Sequence, residues 1–229
     1  MDIRIAGSGN IPSGSYKEIT IAGSGHLAER VQCVQFSVSG SGRGENIECA
    51  ESFKVSGGAK FTGDIEAKNV RITGSLVCGG NVAVEETLSC FGSAKCERDV
   101  KCEKLSVAGA LHVDGNVEAE SVNVDGSLHC AGLLNAEKID IKADHKVHIG
   151  SIGGSDIQIN KKRFSFFRNR RVEVETAIEG DQITLEYVKC PRVTGRVVNI
   201  GKGCEIGLVQ FSEKMDMSAK AKVQTREKV

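Results

Sequence analysis

The chain has 229 residues, a formal net charge of zero, 27 glycines, 2 prolines, no tryptophan and 4% aromatic residues. That length can bury a sizeable core in one large domain or two small ones, and a zero net charge gives no whole-molecule field that would select nucleic acid or a membrane as partner. Val, Ile, Gly, Ser, Thr and Cys recur throughout while long runs of Leu, Glu and Lys are missing, which favours strands and tight corners over helices.

From the N-terminus, residues 1–10 show neither a basic region nor an apolar one, so no signal peptide is expected, and no apolar run approaches the roughly 18 residues of a membrane span. Nine cysteines without a secretory signal point to reduced thiols in the cytoplasm, and an odd count fits a disulfide framework poorly. Strand pattern begins almost at once, with Ile3, Ile5, Ile19 and Ile21 alternating with polar neighbours. No cap precedes them.

A repeat then takes over. Gly23, Gly40, Gly57 and Gly74 are 17 apart, Gly92 follows after 18, and Gly109 and Gly126 after 17 each. Between glycines the apolar residues alternate strictly, as in Phe53, Val55, Ala59, Phe61, Ile65, Ala67 and then Val70, Ile72, Leu76, Cys78, Val82, Val84. Period two is the strand signal, and a unit of about 17–18 residues holding short strands is one turn of a parallel β-solenoid; a helical solenoid needs a longer unit with a 3.6 period. The fold class is therefore all-β, a single-stranded parallel β-helix. Stacking predicts columns of side chains: Phe36, Phe53, Val70, Leu88, Leu105, Val122, Ile139; then Phe61, Cys78, Cys96, Val113, Cys130, Val147; then Cys49, Ala67, Val84, Cys102, Ala119, Ala136. About 13 coils at roughly 4.8 Å would give a rod on the order of 60 Å long.

Within the coils the cysteines invite a metal site, but no C-x-x-C occurs, and Cys90, Cys96 and Cys102 fall on different strands in inward register, so small buried hydrophobes are expected. His112 and His129 share an outward position. The pair His145 and His148 is the one hint of a catalytic or metal-binding imidazole. The runs Gly7-Ser-Gly9 and Gly40-Ser-Gly42-Arg-Gly44 resemble phosphate loops only superficially, because neither completes a dinucleotide or P-loop fingerprint. No catalytic, cofactor-binding or metal residue is assigned, and no cofactor.

After Ile159 the repeat breaks at residues 160–171, NKKRFSFFRNRR. Lys161, Lys162, Arg163, Arg168, Arg170 and Arg171 are interleaved there with Phe164, Phe166 and Phe167. Such a segment could bind anionic headgroups with its rings at the interface, or a partner protein, or stack on single-stranded nucleic acid; the plainer reading folds the rings onto the rod and leaves the charges solvated. The repeat returns with Ile183 and Ile200, 17 apart, and Val188 and Ile206, 18 apart. The organisation read from the chain is coils over 1–159, an insertion at 160–171, coils of the same rod over 172–223, and a charged tail at 224–229.

The glycine-punctuated units, together with the stretch from Val193 to Gly207 (VTGRVVNIGKGCEIG), resemble the bactofilins. That resemblance implies a right-handed β-helix of triangular section, polymer-forming and cytoskeletal, building nonpolar filaments without nucleotide and serving cell shape, flagellar assembly or motility. Members of that family flank the helix with Pro-rich tails, whereas strand pattern here starts at Ile3.

A lone coil of this size cannot offset its ordering entropy, so each depends on its neighbours, and terminal coils leave unpaired backbone groups above an apolar cross-section. Self-assembly, end to end, is therefore expected through Ile3, Ile5, Ile19, Ile21 near one end and Leu208 and Phe211 near the other, with the 160–171 segment docking at a membrane surface or a partner on the inner face of the cell membrane. The chain is read as a non-enzymatic scaffold. Two alternatives stand beside it: a non-polymerising adaptor in flagellar or division assembly, and a hexapeptide-type acyltransferase, which would show strict six-residue repeats found here only around 200–207.

Overall fold

The computed structural model describes residues 1–161 and 171–229. Every regular element among them is a β-strand, and the strands pair in parallel from turn to turn. The contacts divide the chain into two compact units, residues 1–115 and 116–229. Each is a β-solenoid in which a strand pairs with its counterpart in the preceding and following turns.

In the first unit one side is built from the short strands Ser8–Ile11, Ser24–Leu27, Ser41–Gly44, Gly58–Phe61, Ser75–Cys78, Ser93–Cys96 and Ala110–Val113. The other two sides come from longer strands such as Asn46–Val55 and Val82–Cys90, each bent by a register shift, at Cys49/Ser52 and Val84/Thr87 respectively. A bulge of this kind turns the strand without ending its pairing. Inward residues form the expected column, with Phe36 over Phe53, Phe53 over Val70, Val70 over Leu88 and Leu88 over Leu105. A second column sets Phe61 beside Cys78, Cys78 beside Cys96 and Cys96 beside Val113. The third holds for Cys49, Ala67 and Val84. All of these are buried.

Two corners carry devices that hold the turns together. At the first, each column glycine lies against the one a turn earlier: a Cβ on Gly40, Gly57, Gly74, Gly92 or Gly109 would collide with the carbonyl oxygen of the preceding column glycine. Those carbonyls accept hydrogen bonds from the next turn, Ser41 N to Gly23 O at 2.8 Å and Gly58 N to Gly40 O at 2.8 Å. Only a residue without a side chain allows that approach. At the second corner a ladder of Asn and Asp side chains accepts from the backbone of the following turn. Asp64 N donates to Asn46 Oδ1 at 2.8 Å, Asn81 N to Asp64 Oδ1 at 2.7 Å, and Asp99 N to Asn81 Oδ1 at 3.4 Å.

In the second unit Val122 lies over Ile139, Ile139 over Ile157, Ile157 over Ile183 and Ile183 over Val198. Strand Val172–Val174 pairs with residues 147–149 of strand Val147–Asn160, across the 160–171 segment. Three expected neighbours are corrected. Val147 lies over Leu128 and not Cys130, which faces Ile149; Ile200 lies over Leu185, and Ile183 pairs with Val198; Ile206 pairs with Cys190 instead of Val188. Each error is a slip of two positions, which keeps inward residues inward and so leaves the alternation unchanged. The first arises because the turn at 143–146 is longer than its counterpart at 125–126. The others follow from a tight corner at Tyr187, whose φ of 55° is the left-handed conformation.

The last strand, Lys222–Lys228, pairs with Glu205–Met217, so residues expected as a charged tail take part in the final turn.

Candidate functional site

The candidate assembly surfaces are the two outermost turns. Strand Asp2–Ile5 pairs on one edge with Gly14–Ile21, setting Ile3 over Ile19 and Ile5 over Ile21. Ile19 and Ile21 are therefore sealed at 0% exposure, while Ile3 stays half-buried beside a backbone edge with no partner among the described residues. At the other end Leu208 and Phe211 are half-buried, covered by Thr225 and Lys228 of the final strand. The outer edge there belongs to Lys222–Lys228, rich in charge. Of the assembly residues proposed from sequence, Ile3 and Ile5 lie in the outermost turn and the other four lie one turn in.

Of the basic-aromatic segment, Lys161 and Arg171 are described; Lys162, Arg163, Phe164, Phe166, Phe167, Arg168 and Arg170 lie outside the described residues. Lys161 Nζ sits 4.6 Å from the centre of the Tyr187 ring. Arg171 Nη1 lies 2.7 Å from Glu205 Oε2, and this hydrogen bond holds the Glu205 carboxyl below the usual carboxylate range. Both ends of the segment are thus held to the second unit by a charge contact.

All nine cysteines are free and buried. Burial pushes the Cys78 thiol up to about 11 and that of Cys102 to about 12. Cys33 Sγ and Cys49 Sγ are 3.2 Å apart on adjacent turns, and that contact, with burial, drives Cys49 still higher. Thiols protonated at neutral pH are poor nucleophiles. Native protein should therefore give almost no colour with a thiol-titrating aromatic disulfide, and all nine thiols should react once it is unfolded in denaturant. Fast reaction of several thiols in the native state would contradict a core role.

Among the described residues no group of three or more His, Cys, Asp or Glu side chains is placed to hold a metal ion. His112 Nε2 meets Asp114 Oδ1 at 2.6 Å. His148 stacks on His129 with centroids 5.4 Å apart, and its Nε2 meets Glu175 Oε1 at 2.7 Å. His145 lies in the 143–146 turn, not beside His148 on the strand. The glycine runs at 7–9 and 40–44 lie in corners and strands, and no helix is present among the described residues to offer an N-terminus to a phosphate. Among the described residues no helix is long and apolar enough to cross a membrane.

A stack of parallel turns with free edges is one shape shared by several families, and the comparison with known proteins narrows it. Residues 44–111 match the family model of bactofilin, described as polymer-forming cytoskeletal. Over that stretch the chain is similar to the bactofilin family. That stretch lies within the first unit and contains Phe53, Phe61 and the column glycines Gly57, Gly74, Gly92 and Gly109. A protein of Bacillus subtilis (strain 168), "Uncharacterized protein YhbF", is 32% identical over 83 residues, covering 36% of this chain and 35% of its own. The chain thus spans about a third of the curated relative it matches. No solved structure matches.

Sequence reading of that stretch found the glycine column but missed the Asn46–Asp64–Asn81–Asp99 ladder. The signal was there, in Gly63-Asp64 and Gly80-Asn81 at the same point of successive repeats. Short polar residues after glycine read as ordinary turn formers until the turns are stacked.

Proposed function

We propose that this protein is a structural scaffold of the cytoskeleton that assembles end to end into filaments without nucleotide, in the cytoplasm. The observation that carries this reading is the similarity of residues 44–111 to the bactofilin family, set in a solenoid whose outermost strand Asp2–Ile5 offers an unpaired edge among the described residues. Free N–H and C=O groups in a row beside half-buried Ile3 and buried Ile5 form a template for strand addition. In the second unit the charged strand Lys222–Lys228 makes its outer edge less adhesive through its side chains, although its backbone groups can still pair. Supporting cell shape, flagellar assembly or motility is the cellular role this reading suggests.

Negative-stain microscopy of the purified protein, with and without ATP or GTP, is the test. Filaments of equal abundance in all three samples are expected, and Ile3→Asp/Ile5→Asp should leave discrete particles with an unchanged circular dichroism spectrum. Monodisperse monomers or dimers of the unmodified protein at high concentration would replace this reading with the adaptor. Trimers of fixed size would replace it with the acyltransferase.

Docking of the 160–171 segment on an anionic membrane surface or a partner is a further part of the proposal, supported by its composition and by the anchoring of Lys161 and Arg171 on the solenoid. Removing residues 160–171 should lower co-sedimentation with phosphatidylglycerol vesicles. Undiminished binding would remove the membrane from the proposal.

A further inference from the structure

The short-strand side of the first unit has a charge pattern that the linear sequence conceals. In register along it stand Asn10, His26, Arg43, Lys60, Val77, Lys95 and His112. Two positions earlier on each strand stand Ser8, Ser24, Ser41, Gly58, Ser75, Ser93 and Ala110. None of these seven strands contains Asp or Glu. A row of cations therefore runs beside a row of hydroxyls and bare backbone.

The row is neutralised at one end only. Lys95 Nζ reaches Glu97 at 3.6 Å and Asp114 at 3.5 Å, and His112 also meets Asp114. Arg43 and Lys60, exposed and on adjacent turns, make no ion pair among the described residues. Like charges directly opposite one another on neighbouring strands repel. Here Arg43 and Lys60 are such a pair, stacked at the strand spacing of roughly 4.8 Å with His26 next in the row. They line a groove of about 870 Å³, with Ser41, Gly58 and Ser75 beside them and Glu29 and Glu45 at one corner. The groove is open over Gly58, where an added Cβ would meet nothing within 4 Å.

We propose that this groove binds an extended acidic peptide segment of a partner protein, its carboxylates paired with Arg43 and Lys60 and within reach of the His26 ring. The fork of a guanidinium and the point charge of an ammonium both suit carboxylates, and serine hydroxyls supply further donors. The three stacked positions span roughly 10 Å, the length of about three residues of extended chain at about 3.3 Å each. A bilayer is the weaker fit, because the cations line a concavity whose bulky apolar lining residue, Leu27, is buried and not free to insert. Single-stranded nucleic acid lacks a stacking ring there. This inference does not depend on filament formation.

Fluorescence anisotropy with a fluorescein-labelled decaglutamate peptide and the full chain tests it, in low and moderate salt. Binding that weakens with salt is expected, and Arg43→Glu/Lys60→Glu should weaken it at least about tenfold, with the neutral pair Arg43→Gln/Lys60→Gln in between. Lys54→Glu/Lys104→Glu changes net charge equally but on another side of the unit, and should bind as the unmodified protein does. Absence of peptide binding would overturn the proposal. So would equal losses in the two charge-reversed proteins, or polyphosphate or phosphatidylglycerol vesicles binding through Arg43 and Lys60 where the peptide does not. Unaltered circular dichroism of each variant keeps the comparison clean.

Discussion

Replacing Gly57 by alanine should destabilise the first unit by about 3 kcal/mol or more, whereas the same change at the adjacent Gly58 should alter stability by no more than about 0.5 kcal/mol. The contrast rests on where the added methyl points. At 57 it would collide with the carbonyl oxygens of Gly40 and Ser39, both backbone atoms of the preceding turn. The Gly40 oxygen also accepts the 2.8 Å hydrogen bond from Gly58 N. Relieving the clash means parting two turns and weakening that bond, and rotation of a side chain cannot help. At 58 the methyl enters open space, and loss of glycine's freedom in the unfolded chain works slightly in its favour. Urea denaturation of the two variants decides the matter. Similar midpoints for both would show that the column glycines are not closely approached.

Truncating Phe53 to alanine should cost about 3–5 kcal/mol. Its ring is fully buried and stacks on Phe36 with centroids 4.9 Å apart and planes at 12°. Phe61 packs edge-on against both, at 5.6 Å from Phe53 and 6.0 Å from Phe36. The interior makes room for three rings by using glycine at inward positions: a Cβ on Gly44 would press on Leu27 and Phe61. A cavity left among these rings is walled by a hydrogen-bonded stack, which cannot collapse inward to fill it. Phe53→Leu, which retains most of the volume, should lose less than half as much. Thermal unfolding followed by circular dichroism at a strand wavelength reads both. A loss below about 1 kcal/mol for the alanine variant would mean that the turns close up over the gap.

Much of this architecture was legible in the sequence because a solenoid converts spacing along the chain into height. Phe36, Phe53, Val70 and Leu88 could be placed over one another from their numbers alone, since strict alternation fixed which residues face inward and glycines fixed where each turn begins. The same logic failed wherever two registers of equal parity competed. Val147 and Ile149, or Val198 and Ile200, are equally apolar, and only the length of the intervening turn chooses between them. That length is set by local backbone, such as the left-handed Tyr187, which carries no periodic signature. Surface features were the least legible. The row of His26, Arg43 and Lys60 is invisible until the turns are laid side by side, because those residues are far apart along the chain and ordinary in composition. The terminal residues showed the converse. Ile19 and Ile21 looked like end residues from the sequence, yet one further turn closes over them.

Because the hydrogen bonds at the corners join a turn mainly to those immediately before and after it, each unit comes apart in small steps. Opening its outermost turn exposes little more than one layer of amides, so protons near residues 2–5 and 222–228 should exchange with heavy water through brief fraying, while those beside Phe53 or Ile157 wait for far rarer, deeper openings. Capture of a second molecule at an outer strand would protect those shallow amides first, and the slowing of their exchange would mark the site of capture before any long structure had grown.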